Sequence, residues 1–119
     1  MQKPQIIERN GKQIFYQDFS NCTAQEALTL IRQARAMLDE LSPGSMLGLT
    51  VVTGGRFDLK VVEELKEFSR LAGRYFRATA VVGISGMQRV ILIAVEAFTG
   101  RKYELFDDVQ KAIEWLVRF

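Results

Sequence analysis

Two short stretches carry the residue types that could hold a ligand, Thr53-Gly54-Gly55-Arg56 and Ser85-Gly86. Exposed amides of a glycine turn, the positive end of a following helix and an arginine fork together bind anions. Each stretch lies between an apolar run and an amphipathic one, at the strand-to-helix edge where open α/β sheets usually bind ligands. The plainer alternative is that the two glycines serve a tight turn, Arg56 is solvated and Ser85 only caps its helix. Neither the GxxxxGK[ST] phosphate loop nor GxGxxG occurs, so no nucleotide motif is present.

The remaining chemistry-bearing residues narrow the field further. The chain has no histidine, which excludes Ser-His-Asp and Cys-His nucleophile systems, histidine metal triads and imidazole proton shuttles. Cys22 is the single cysteine, so neither an intramolecular disulfide nor a cysteine metal cluster can form. It precedes a helix start, where the dipole favours a thiolate, but without a basic or resolving partner it reads as an ordinary small side chain. The adjacent carboxylates Asp39-Glu40, Glu63-Glu64 and Asp107-Asp108 point about 100° apart on a helix and make poor acid-base dyads. Arg70, Arg74 and Arg77 complement the end of a helix dipole, or form a small basic patch for an acidic partner. The expectation is a noncatalytic protein with no cofactor and no metal.

The elements that must position these groups follow from composition and pattern. The 119 residues are 48% apolar and 25% charged, ordinary usage for one compact domain spanning residues 1–119. The net charge of +2, with acids and bases interspersed, gives no nucleic-acid footprint. No apolar run approaches the ~20 residues of a membrane span, so no transmembrane segment is expected. Met1-Gln2-Lys3-Pro4 lacks a signal-peptide apolar region, and the expected location is a reducing compartment, the cytoplasm of a bacterium or archaeon.

Asn10-Gly11 between Ile6-Ile7 and Ile14-Phe15-Tyr16 predicts a type I′ hairpin, with a strand over 13–19. Thr23 and Glu26 form a capping box, and Ala27, Leu28, Ile31, Ala34, Leu38 and Leu41 follow at helical spacing up to Ser42-Pro43-Gly44. Residues 46–52 read as a strand buried on both faces. Asp58 caps a second helix, with Val61, Val62, Leu65, Phe68 and Ala72 inward and Gly73 at its end. Residues 78–84 form the next strand, and Ser85 with Gln88 makes a second capping box. The helix over 87–98 is apolar on most of its circumference, so it is either deeply buried or presents an apolar patch to a partner or to a second copy in a homodimer. A short strand over 103–106 leads to Asp107, which with Gln110 starts a last helix striped by Val109, Ala112, Ile113, Leu116 and Phe119. Trp115 lies off that stripe, for a partner contact or for packing on the sheet edge.

The order of short motifs resembles a known family. Ala80-Val81-Val82-Gly83 before a helix, Phe98-Thr99-Gly100, Leu105-Phe106-Asp107 and Ala112-Ile113-Glu114-Trp115-Leu116 resemble STAS domains, the modules of anti-sigma-factor antagonists and sulphate-transporter tails. More closely, the chain resembles small single-domain bacterial proteins described as SpoIIAA-like, or STAS/SEC14-like. The resemblance implies an α/β fold, an N-terminal β-hairpin then four β-α units, with a mainly parallel four-to-five-stranded sheet and flanking helices. Phosphorylatable STAS domains carry a serine in the loop after the second core strand. The matching segment here, from Thr50 to Asp58, has none; Thr53 is its nearest hydroxyl. The implied function is a noncatalytic regulatory module that binds a protein partner through the glycine loop, the start of the second helix and the apolar third helix. The alternative is a binder of a small lipophilic or anionic ligand, which needs a cavity of ~300–1,000 Å³ between the third helix and the sheet.

Overall fold

The computed structural model describes residues 2–119. Strands β1 (Gln5–Arg9) and β2 (Lys12–Asp18) form the predicted antiparallel hairpin, with Asn10 and Gly11 at φ 51° and 74°, the pair of positive values that a type I′ turn requires. Helix α1 (Ala24–Leu38), strand β3 (Met46–Val51), helix α2 (Leu59–Ala72), strand β4 (Phe76–Val82), helix α3 (Met87–Thr99), strand β5 (Glu104–Phe106) and helix α4 (Val109–Leu116) complete the chain. The five strands lie in the order β1-β2-β3-β4-β5, and every pair after the hairpin is parallel. The architecture is the α/β arrangement expected from the sequence.

Two cores form, one on each face of the sheet. Phe15, Phe19, Met46, Val52 and Val81 face α1 and α2, whose buried stripes include Ala27, Ile31, Ala34, Val61 and Phe68. Ile14, Leu47, Leu49, Ala80 and Val82 face α4 through Ala112, Ile113 and Leu116. The alternation along β2, with Ile14 to one core and Phe15 to the other, is the two-residue period of a strand covered on both faces. Phe15 is fully buried and its ring lies 5.4 Å from Phe76 and 6.3 Å from Phe68, joining β2, β4 and α2. Across the outer surfaces of α1 and α2, Arg32 and Arg35 pair with Glu64 at 3.4 and 4.0 Å.

Most element bounds fall within one residue of the sequence reading, and larger local departures occur as follows. Helix α1 ends at Leu38; beyond it Glu40 and Leu41 bond to carbonyls three residues back, a tightened last turn ahead of Ser42-Pro43. Strand β4 occupies 76–82 rather than 78–84, because Gly83 at φ 84° turns the chain out of the sheet. The cap of α4 is Asp108, which accepts from Lys111 N–H at 3.0 Å; Asp107 is taken up by the bend out of β5. Ser85 does not cap α3, whose N-cap is Gly86 with no side-chain bond. Only the return half of that capping box exists, the Ser85 N–H donating to Gln88 Oε1 at 3.2 Å.

Trp115 packs on Phe106 of the edge strand at 5.7 Å and on Phe119 at 4.8 Å, which is the sheet-edge packing. No helix among the described residues is long and apolar enough to cross a membrane.

Candidate functional site

Three loops meet at the end of the sheet where the parallel strands finish. The connection after β2 lies beside the one after β3 through two backbone bonds, Asn21 N–H to Thr53 O at 2.9 Å and Arg56 N–H to Cys22 O at 3.0 Å. The connection after β4 lies against the same loop: a Cβ at Gly83 would collide with the Thr53 hydroxyl and come within 3.1 Å of Thr53 Cα. Replacing Gly83 by alanine is therefore expected to cost about 1–2 kcal/mol in left-handed strain alone. In urea unfolding the loss should be partly recovered by adding Thr53→Ala, and strict additivity of the two changes would show that the loops do not interlock.

The structure brings the two sequence-predicted stretches together, and the residue that does so is Gln88. Its side chain is buried at the first turn of α3 and donates from Nε2 to Val52 O at 2.7 Å and to Gly55 O at 2.9 Å. The same amide accepts the Ser85 N–H. One glutamine thus ties the Thr53-Gly54-Gly55-Arg56 loop to Ser85-Gly86 and to the start of α3. Thr53, Gly54, Arg56, Ser85 and Gly86 are exposed and Gly55 is half-buried, its Cβ position closed by Phe19 O at 2.8 Å.

The electrostatics of this edge differ from a plain anion cradle. Asp58 accepts from Val61 N–H at 2.9 Å, so a carboxylate already occupies the N-terminus of α2. Arg56 is the cationic group left on the loop. Cys22 is buried, and burial, with Glu26 nearby, pushes its thiol pKa up against the opposing effect of the Arg56 N–H. A thiol in that state is a weak nucleophile. Arg70 is hydrogen-bonded to Glu67, whose carboxyl pKa it lowers, so of the three arginines singled out at the end of α2 Arg70 is paired, while Arg77 lies in β4. Among the described residues no cluster of three or more acidic or cysteine side chains could hold a metal.

Beside the loops lies the feature that the sequence left open. Helix α3 packs along α2 and turns most of its apolar circumference to solvent: Met87 is 73% exposed, Val90 and Ile93 60%, and Phe98 52%. Between α3, α2 and the sheet is a cavity of about 90 Å³. It lies where a ligand cavity was expected, but is well below the ~300 Å³ at which drug-sized pockets begin. Two buried glutamines face it: Gln88, which the sequence offered only as the capping partner of Ser85, and Gln17, which the sequence reading did not single out. Gln17 stood between Phe15 and Phe19 on an inward face, and that misplaced polar residue was the available signal.

No protein-family model and no curated protein matches this sequence. Among solved structures, the chain is similar to an uncharacterised protein from the DUF3478 family with a SpoIIAA-like fold from Shewanella loihica PV-4. The two share 16% identity over 95% of this chain and 91% of that one, with a TM-score of 0.66. The sheet order, the opening hairpin and the four helices, together with this likeness, give the chain a SpoIIAA-like fold.

Proposed function

We propose that this protein is a noncatalytic module that works by binding another protein, with the outward face of α3 as its contact surface. The observation that carries the reading is the set of exposed apolar side chains Met87, Val90, Ile93 and Phe98 on one helix. Soluble monomers rarely expose such contiguous apolar patches, and those that do mostly use them for contacts. Lys66 lies 5.8 Å over the Phe98 ring but pairs with Glu63 at 3.7 Å, so the exposed Arg89 next to the patch is the cation left for an acidic group. A partner with an apolar centre and an acidic group at its border fits that pattern. The tie through Gln88 supports extension of the surface onto the glycine loop and the exposed Leu59 at the start of α2. The small cavity favours this reading over a lipid-sized ligand.

The test is capture of partners by the wild-type protein and by Ile93→Glu, a change on a solvent-facing position that should leave stability within about 0.5 kcal/mol. The expected result is a specific partner retained by the wild type and lost by the variant, with sedimentation showing whether a second copy of the chain is that partner. A monomeric wild type that retains nothing the variant loses would overturn the proposal.

A further inference from the structure

The face of the sheet beneath α2 and α3 contains polar groups where a core would be expected to be apolar. Along β2 the inward positions are Phe15, Gln17 and Phe19, and Gln17 is only 4% exposed between two buried rings. Its side-chain amide makes no hydrogen bond to another described residue, and it faces the cavity of about 90 Å³. It is not sealed in protein either, since the unpartnered side-chain atoms that are fully enclosed are Gln33 Oε1 and Ser45 Oγ. Thr50 pairs with Gln17 across β2 and β3, Thr79 lies two residues before the Val81 that pairs with Thr50, and both threonines line the same cavity. Three adjacent parallel strands therefore present a polar stripe. Phe57, Leu65, Phe68, Leu92 and Val95 supply apolar walls.

A buried amide without partners is costly, and a site that only needed filling would be filled by valine or leucine. We propose that this cavity is a binding site for a small uncharged carboxamide, whose head group pairs with Gln17 and whose short alkyl part lies against the apolar walls. Three properties select that class. A glutamine amide offers donors and an acceptor together, so a primary amide answers it with two reciprocal N–H···O bonds. A carboxylate at Gln17 would lose its hydration with no cation beside it, because the one arginine on the cavity, Arg101, is held on Phe76 O at 2.9 Å, at the opposite end of β4 from Val81, the residue in the same row as Thr50 and Gln17. The volume is below the ~150 Å³ that accepts benzene, which limits the ligand to roughly four or five non-hydrogen atoms. The site is independent of the outward face of α3 and of any protein bound there.

The experiment is an NMR titration of the full ¹⁵N-labelled chain with propionamide, propionate and isobutane as probes. Propionamide is expected to give saturable shifts of the Gln17 side-chain NH₂ and of the Thr50 and Thr79 amides, with affinity no tighter than a few micromolar for so small a ligand. Propionate and isobutane should bind at least about tenfold more weakly, and Gln17→Leu should weaken propionamide by a similar factor. No saturable shift, as for a cavity holding only water, would overturn the proposal. So would equal binding of propionate or isobutane, or propionamide affinity retained in Gln17→Leu. If that variant does not fold, the ranking of the three probes on the wild-type chain decides alone.

Discussion

Replacing Phe15 by alanine is expected to lower the unfolding free energy by about 3–5 kcal/mol. The ring is fully buried in β2 and is in contact with the rings of Phe68 and Phe76, so its removal takes away one side chain's burial and two aromatic pairs. The site cannot easily collapse, because the parallel strand β3 holds β2 on one side and the antiparallel β1 on the other. A domain of this size has about 5–15 kcal/mol in total, so the variant should unfold at much lower urea with an unchanged slope. A loss below about 1 kcal/mol would mean that the aromatic triad does not hold the face under α2 together.

Replacing Gln88 by leucine is expected to cost about 2–3 kcal/mol, and to act mainly on α3. The variant leaves Gly55 O without its donor and the Ser85 N–H without its acceptor, while Val52 O keeps the Gly55 N–H at 3.0 Å. Because α3 packs along α2 with the cavity separating it from the sheet, little else holds its first turn. Native-state hydrogen exchange should show amides of α3 opening about a hundredfold more often, with β2, β3 and β4 nearly unchanged. Exchange that rises uniformly across the chain, or not at all in α3, would count against Gln88 as the tie between helix and loop. The same variant should also disturb the contact surface proposed for α3, since its position depends on that tie.

What the sequence determined is local and periodic. The Asn10-Gly11 turn, the Thr23 and Glu26 capping box, the Asp58 cap and the doubly apolar run of β3 each follow from the chemistry of a few neighbouring residues, and each is present in the structure. The order of strands and helices is likewise legible, because two-residue and 3.6-residue periods are properties of the chain alone. The second capping box failed in its serine half, because Gly86 takes the N-cap position and the Gln88 backbone N–H goes to Ser85 O at 3.1 Å in place of the hydroxyl. Gln88 has carbonyls of the neighbouring loop within reach, and its amide donates to them while accepting from Ser85.

Tertiary structure decided the rest. An apolar circumference is compatible with a buried helix and with an exposed one, and only the way α2 covers the sheet leaves Val90 and Ile93 facing water. Gln17 and Thr50 are 33 positions apart and Thr50 and Thr79 are 29 apart, and no local pattern relates them. Parallel pairing places Thr50 beside Gln17 and puts Thr79 one inward position along β4, beside Gly48, since hydrogen bonds between strands fix which inward positions meet while sequence distance has no part in it.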